Sequence, residues 1–258
     1  MKLLAIDTTG AYSSIAIYDD GIIAQIINEE DYSHLQKLVP TVQALLDEEE
    51  ISPAEIDAVA VSRGPGSFTG IRIGMATAKA LAQIWNKPIV EVPTLATFAF
   101  RDYDFGEMTA DCQMSEIAFC PVFDAKREQI YGGAYYYLND KPIIPDGAYD
   151  LSEYLEMLYD ALKRTELKKV CFFGDGLKVY KEKLDAFEFD HFFAEDGDAY
   201  QTALGCAELG AKLFKEGKTS DCYTAKPEYL RAAEAERKLA EKIKADSLKL
   251  GTAKENKY

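Results

Sequence analysis

The feature that most constrains the fold of this chain is a glycine-rich loop between an apolar strand and an alanine-rich helix. The loop occupies residues 62–74 (Ser-Arg-Gly-Pro-Gly-Ser-Phe-Thr-Gly-Ile-Arg-Ile-Gly), after a predicted strand at 57–61 and at the start of a helix predicted over 69–85. Glycine adopts backbone angles that other residues resist, and it lets two segments approach closely. Because the first N–H groups of a helix lack intrahelical partners, the loop is either an anion-binding cradle or a tight connection that binds nothing. It is not a Walker A loop, because no Gly-Lys-Ser/Thr follows.

The remaining elements of the first hundred residues predict a mixed sheet. Strands are predicted at 2–7, 13–18 and 22–28, with Asp19-Asp20-Gly21 as a hairpin turn between the second and third. A helix is predicted over 33–49, and a further strand at 89–92. Three antiparallel strands followed by helix-crossed strands resemble one half of the actin/Hsp70/sugar-kinase (ASKHA) fold.

After about residue 100 the order of elements partly repeats, which suggests an internal duplication without a residue-level repeat. We therefore predict a two-lobed α/β protein with small duplicated lobes, at 1–100 and 101–232, and a charged tail at 233–258. The predicted strands of the second half are 117–123, 129–137, 141–144, 170–173 and 190–193, and its helices are 151–163, 177–184 and 199–216.

Composition excludes several classes of protein. The formal charge of −15 argues against a protein that grips nucleic acid alone, because phosphate contacts need a basic surface. No apolar run of about 18 residues predicts a membrane span, and the N-terminal run does not predict a signal peptide. The five cysteines are odd in number and form no Cys-x-x-Cys pair, which favours reduced thiols in the cytoplasm.

Two glycine-containing turns are candidate nucleotide-binding segments. In the fold that the strand order resembles, the first hairpin faces the nucleotide phosphates, and here it carries Asp7, Thr8 and Thr9. A second turn, Gly174-Asp175-Gly176, would approach from the other lobe. The alternative for both is a plain turn whose polar side chains bond to their own backbone. ATP or ADP with magnesium is thus a candidate ligand, and no cofactor is required.

The helix predicted over 69–85 is a candidate partner-binding surface. Small residues recur every fourth position, so another helix could approach closely. The alternative is packing against the sheet of the same lobe. Together with the helix at 33–49 it would form half of an intermolecular four-helix bundle, and the sequence leaves monomer and homodimer open. The candidate partner-binding residues are Gly70, Arg72, Gly74, Met75, Ala78, Leu38 and Val42.

Four segments in the same order give the chain a resemblance to the TsaB (YeaZ) family of bacterial tRNA threonylcarbamoyladenosine synthesis. The specific one is Gly-Pro-Gly-Ser-Phe-Thr-Gly-Ile-Arg-Ile-Gly at 64–74. The shorter ones are 4–9 (Leu-Ala-Ile-Asp-Thr-Thr), 174–176 (Gly-Asp-Gly) and 227–231 (Pro-Glu-Tyr-Leu-Arg), so the resemblance spans about residues 1–232.

The resemblance implies a non-catalytic subunit. The family pairs with the metal-binding catalytic subunit TsaD and with the ATPase TsaE, TsaC supplies threonylcarbamoyl-adenylate, and tRNA is met through the complex. The catalytic paralogue holds its metal with a His-x-x-x-His pair, where this chain has Thr94 and Phe98. Neither is a plausible ligand, so no metal is expected.

Two other functions remain open on sequence alone. One is an autonomous ATP-using enzyme of the same fold, and the weaker one is a metallo-glycopeptidase. The chain has two histidines, His34 and His191, with no partner at ligand spacing, and we expect both to be structural. Metal analysis and a nucleotide titration would separate these functions.

Overall fold

The computed structural model describes residues 1–28, 34–195 and 197–231, and for residues 34–36 the backbone alone. Residue 33, the predicted start of the first helix, and the predicted tail at 233–258 lie outside the described residues. Met1–Glu228 forms one compact unit, and Tyr229–Tyr258 forms a second, of which residues 229–231 are described.

The first sheet has five strands in the order β3-β2-β1-β4-β5. The hairpins β1–β2 and β2–β3 pair antiparallel, whereas β1–β4 and β4–β5 pair parallel across helical crossovers. Its elements are β1 Lys2–Asp7, β2 Ser13–Asp19, β3 Ile22–Asn28, α1 His34–Glu48, β4 Ala58–Gly64, α2 Phe68–Trp85 and β5 Ile89–Pro93.

The second sheet repeats this topology in the order β8-β7-β6-β9-β10, with two antiparallel hairpins followed by two parallel pairs. The predicted fold class is confirmed: the chain is α/β, with two mixed sheets of the actin/Hsp70/sugar-kinase type. The elements are β6 Ile117–Asp124, β7 Gln129–Tyr136, β8 Pro142–Asp150, α3 Leu151–Leu162, β9 Lys169–Phe173, α4 Leu177–Asp185, β10 His191–Phe193 and α5 Ala203–Lys215.

The core is layered because successive strand side chains point to opposite faces of a sheet. On β1, Leu4 and Ile6 face the core under α1 and α2, whereas Leu3 and Ala5 face a middle core shared by both sheets. Helix α5 and the buried 3-10 helix Leu95–Phe100 contribute to that middle core. Helix α5 follows the second sheet in sequence but packs on the first sheet. A single division of the chain near residue 100 therefore stays a prediction.

Strand β8 differs most from the sequence prediction. The predicted strand ended at Ile144, but β8 runs on to Asp150. Strand β8 lies at the edge of its sheet. A proline costs little stability there when its missing N–H group would face the unpaired outer side of the strand. The continuation brings Asp146 back onto β7, with consequences for the site described below.

One helix prediction also changed. Helix α5 begins at Ala203 and not at 199, because Thr202 is extended and acts as the N-cap. Helix α1 runs through Pro40 without ending there. In the part of the chain that the structure describes, no helix is long and apolar enough to cross a membrane.

Candidate functional site

The first candidate segment is a buried turn organised by Asp7. This carboxyl group is 1 % exposed at the end of β1. One carboxyl oxygen accepts hydrogen bonds from the Thr9 N–H and the Thr9 hydroxyl, both at 2.8 Å, and the other accepts one from the Ser62 hydroxyl at 2.5 Å. Burial raises the pKa of Asp7, and these three hydrogen bonds oppose that rise. The polar atoms of this turn are thus engaged within the protein.

Gln201 covers the same turn from the far end of the chain. Its side-chain amide donates to the Thr9 hydroxyl at 3.4 Å. A Cβ atom added at Gly10 would lie closer than 3.0 Å to that amide, so the space above Gly10 is occupied. The neighbouring Ser14 hydroxyl accepts the N–H of Ala203 at 2.7 Å, so the start of α5 is fixed here too. Phosphates that approached this hairpin would meet protein side chains.

The glycine loop closes the turn from the other side. Gly66 has φ +154°, and an added Cβ at Gly66 or Gly70 would lie closer than 3.0 Å to the backbone of Thr9 or Thr8. The Ser67 N–H donates to the Thr9 carbonyl at 2.7 Å, and the Ser67 hydroxyl accepts the Gly70 N–H at 3.3 Å as the N-cap of α2. The structure therefore favours the tight connection, because two N–H groups that would face an anion have protein acceptors.

The second candidate turn is anchored to its own sheet. Gly174 has φ +98°, and an added Cβ at Gly174 or Gly176 would lie closer than 3.0 Å to the Val122 carbonyl. The Asp175 carboxyl group accepts the Asp124 N–H at 3.0 Å, and burial raises the pKa of Asp175. The two candidate turns thus lie on different sheets, each bonded to neighbouring backbone. Their nucleotide-binding role stays a prediction.

The two positions aligned with the absent histidine pair belong to the core. The Thr94 hydroxyl accepts the Gly64 N–H at 3.1 Å and fixes the glycine loop to the end of β5. Phe98 is fully buried, with ring centroids 5.9 Å from Phe123 and 5.1 Å from Phe173. In the described part of the chain, no three His, Cys, Asp or Glu side chains are grouped so that they could hold a metal ion.

The candidate partner-binding residues fall mainly on the inner side of their helices. Gly74 and Ala78 face the sheet, and an added Cβ at Gly74 would lie closer than 3.0 Å to the Thr8 hydroxyl. Met75, Leu38 and Val42 are likewise buried in the core beneath α1 and α2. This burial corresponds to the alternative in which the small residues serve packing within the lobe. Whether the helix binds a partner stays a prediction.

A different row of α2 faces outward. Arg72 is exposed and lies over the Phe68 ring, with its guanidinium carbon 3.7 Å from the ring centroid. Further along the helix, the small residues Ala76 and Ala80 are exposed, and Ile84 is 77 % exposed. We call the exposed row the outer stripe of α2; its members are Thr69, Arg72, Ala76, Ala80, Gln83 and Ile84.

Sequence analysis missed a third group, around Asp146. The Tyr135 hydroxyl donates a hydrogen bond to this carboxyl group, and the Arg63–Glu228 ion pair (2.8 Å) is close enough to act on it electrostatically. Burial raises the pKa of Asp146 from 3.8 to about 6; the Tyr135 hydrogen bond and Arg63 lower it, whereas Glu228 raises it. Only the continued β8 brings these groups together, so a sequence pattern that ends the strand at Ile144 hides them.

This burial predicts a stability change between about pH 4 and pH 7. The folded Asp146 binds a proton that the unfolded chain has released, so the free energy of unfolding falls as the pH rises through this range. Asp146→Asn keeps an acceptor for Tyr135 without a charge. We expect its unfolding free energy relative to wild type to rise by about 1–3 kcal/mol from pH 4 to pH 7, measured by urea titration. The exposed Asp150→Asn is the control; an equal rise there would contradict the assignment.

A cavity of 410 Å³ lies at the segment between Phe100 and β6, and none of its lining residues belongs to either candidate turn. Four carboxylates line it, so it is poorly suited to phosphate. Asp198, one of them, accepts a hydrogen bond from the buried guanidinium of Arg101 at 2.9 Å. The lining residues are Asp104, Phe105, Gly106, Glu107, Met108, Glu195 and Asp198.

Known proteins similar to this chain agree with one another. A family model described as TsaD, tRNA N6-adenosine threonylcarbamoyltransferase, matches residues 21–239. The Bacillus subtilis tRNA threonylcarbamoyladenosine biosynthesis protein TsaB is 34% identical over 247 residues, 95% of this chain and 100% of that protein. The Escherichia coli protein of the same name is 27% identical, over 93% and 98%. The crystal structure of a Pseudomonas aeruginosa protein with similarity to peptidase YeaZ matches with a TM-score of 0.71 and 25% identity, over 89% and 99%.

Proposed function

The chain belongs to the TsaB family, and on that premise we propose that it is a non-catalytic subunit in the synthesis of threonylcarbamoyladenosine beside the anticodon of tRNA. It acts by binding a TsaD-like catalytic subunit, and a TsaE-like ATPase joins the working complex. The family supports participation in this pathway, the Asp7 turn supports the non-catalytic role, and the outer stripe of α2 supports the contact with the catalytic subunit.

The observation that carries the non-catalytic role is the closed state of the Asp7 turn. A carboxylate that positions a metal-bound water needs free lone pairs directed at open space. Both carboxyl oxygens of Asp7 accept hydrogen bonds, from Ser62 and from Thr9. Gln201 and the glycine loop occupy the two approaches to the turn. The same hydrogen bonds make Asp7 a structural residue that ties β1 to β4.

The outer stripe of α2 supports the partner-binding role. Its exposed alanines, Ala76 and Ala80, allow a second helix to approach closely, and the adjacent Ile84 offers apolar area. We therefore place the contact with the TsaD-like subunit here, in place of the buried inner row.

The charge of the chain supports contact with tRNA through the complex alone. At a formal charge of −15 the isolated protein repels phosphate, so the basic surface that holds tRNA belongs to other subunits.

A reconstitution tests the proposal. The mixture contains the catalytic subunit, the ATPase, the adenylate-forming enzyme, ATP, threonine, bicarbonate and tRNA, and the modified nucleoside is measured by mass spectrometry. We expect omission of this chain to reduce product by at least about tenfold, and we expect the chain with tRNA and threonylcarbamoyl-adenylate alone to give none above background.

Asp7→Asn separates a structural from a chemical role. The amide oxygen of the variant can still accept the Thr9 N–H, and its NH2 group can donate to the Ser62 hydroxyl, so assembly and modification should survive with a stability loss of about 1–2 kcal/mol. Loss of modification by a folded, assembled Asp7→Asn protein would favour the ATP-using enzyme. A stoichiometric metal required for peptide hydrolysis would favour the metallo-glycopeptidase.

A further inference from the structure

After α5 the chain runs along the β5 edge of the first sheet, and we call this segment, residues 218–228, the β5 strap. Ser220 and Ile89 exchange two backbone hydrogen bonds, both at 2.8 Å, and the Glu91 carboxylate accepts the Lys226 N–H at 2.8 Å. Ala225 is the one buried residue of the strap. A segment with few contacts and little buried area can open by itself, at a lower free energy than the whole fold.

Glu228 anchors the far end of the β5 strap on the glycine loop. Its N–H donates to the Arg63 carbonyl at 2.8 Å, and its carboxylate accepts the Arg63 Nε–H, also at 2.8 Å. Gly64 has φ +120°, and an added Cβ there would lie closer than 3.0 Å to the Glu228 carbonyl oxygen. The strap and the loop are therefore in close contact, and the ion pair of Arg63 with Glu228 joins them.

Asp146 of the second sheet lies within electrostatic range of this anchor. Its carboxyl group is half-buried and accepts a hydrogen bond from the Tyr135 hydroxyl. Among the described residues, the titratable and charged groups that meet it are Tyr135 on β7, Tyr149 on β8, Arg63 on β4 and Glu228 on the strap. Helix α3 packs on β8, and its Glu153 acts on Tyr149. Burial raises the pKa of both tyrosines, so they stay neutral, and Arg63 and Glu228 set the charge around Asp146.

We propose that Asp146 is a pH-sensitive release for the β5 strap: when its carboxyl group loses a proton, the anchor formed by Arg63 and Glu228 opens. Two carboxylates then compete for one guanidinium group. Opening moves Glu228 into water, ends its repulsion with Asp146 and leaves Arg63 beside the remaining carboxylate. This inference does not depend on the proposed function, and it concerns local opening of the strap with the fold intact.

The sign of the pH dependence follows from the groups around Asp146. Burial is the main cause that raises the pKa of Asp146 to about 6, and Glu228 adds to the rise. Departure of Glu228 removes that contribution, whereas the opposing effect of Arg63 stays. The docked strap therefore holds the Asp146 proton more tightly than the open strap does. The proton stabilises the docked strap at low pH, and this stabilisation is lost as the pH rises through about 6.

Hydrogen exchange of the full chain, followed by mass spectrometry, tests the release. The amides of Ser220, Lys226 and Glu228 report on the strap, because each donates to an acceptor outside it. Wild type and Asp146→Asn are compared at the same pH, so the chemical exchange rate cancels. We expect equal strap exchange at pH 5, and at pH 7.5 we expect the wild-type strap to exchange at least about threefold faster.

Two further variants assign the effect to the pair of carboxylates. Glu228→Gln removes the charge that Asp146 repels, so adding Asp146→Asn to it should change strap exchange by about the same factor at both pH values. Asp150→Asn, at the exposed end of β8, is the matched control and should exchange like wild type at both.

Urea separates local opening from unfolding of the whole chain. Exchange through a local opening exposes little surface, so about 1 M urea should leave the strap rate unchanged, whereas the amides of β1, at the centre of the first sheet, should exchange faster.

Three outcomes would overturn the proposal. The first is a ratio of wild-type to Asp146→Asn strap exchange that is the same at pH 5 and pH 7.5. The second is the same pH-dependent ratio for Asp150→Asn. The third is strap exchange that accelerates in urea in step with β1, which would show that the strap opens only with the whole fold.

Discussion

Gly70→Ala is expected to destabilise the fold, although a helical glycine replaced by alanine ordinarily gains stability. The added Cβ would lie closer than 3.0 Å to the Thr8 carbonyl oxygen, which is backbone and cannot move without shifting β1 and its turn. The same shift weakens the hydrogen bond from the Thr8 hydroxyl to the Gly70 carbonyl, now 2.7 Å. Overpacking costs about 1–3 kcal/mol and the lost bond about 1 kcal/mol.

Thermal unfolding followed by circular dichroism measures this effect, at roughly 2–4 °C for each kcal/mol in a chain of this size. Gly197→Ala is the matched control, because an added Cβ there meets nothing within 4 Å. If Gly70→Ala and Gly197→Ala have the same melting temperature, the close approach of Gly70 to the Thr8 backbone is wrong. Gly74→Leu should behave like Gly70→Ala, since its side chain would be driven into the Thr8 hydroxyl.

In the sequence, the small residues of α2 suggest a surface that binds a partner helix, whereas the expected loss of stability assigns them to packing within the fold. Gly70, Gly74 and Ala78 at four-residue spacing indicate a close approach but do not say what approaches. Helix α2 is apolar on several faces, so periodicity leaves its rotation about the axis undetermined. Only packing on β4 shows that this row faces Thr8 and that Ala76 and Ala80 face outward.

Local patterns predicted the strands well where each strand's neighbour is near in sequence. Period-two burial and the Asp19-Asp20-Gly21 turn predict the β1–β3 meander, and β1 and β3 have the predicted bounds. For the glycine loop, residue types alone left an anion-binding cradle and a tight connection open, and its contacts with Thr8 and Thr9 favour the second.

Contacts between distant segments could not be predicted in this way. Gln201 bonds to Thr9 across 192 positions, and no local pattern marks a glutamine at a helix start as the cover of a turn in the other half. Asp146 was hidden because Pro-Asp-Gly is typical of a turn, whereas at the open edge of a sheet the proline is tolerated and the strand continues. The chemistry of the site depends on both Gln201 and Asp146. Local patterns therefore located the candidate turn but not these distant groups.

Ala80→Arg is expected to weaken binding to the TsaD-like subunit by about a hundredfold while leaving the fold intact. The side chain of Ala80 is exposed on the outer stripe, where a substitution typically changes stability by no more than about 0.5 kcal/mol. In a helix–helix contact, the arginine would hold the backbones apart and bury a charge without a partner. Such a loss amounts to about 3 kcal/mol, on the order of a hundredfold in affinity.

Calorimetric titration of the catalytic subunit from the same organism measures the affinity, and the reconstituted modification reaction should fall with it. Val179→Arg is the matched control, since Val179 is 58 % exposed on α4, on the other sheet. Normal binding by Ala80→Arg together with weakened binding by Val179→Arg would move the contact to the second sheet. Ala80→Arg that binds normally but fails in the reconstituted reaction would give the outer stripe a role after assembly, with the ATPase as the next partner to titrate.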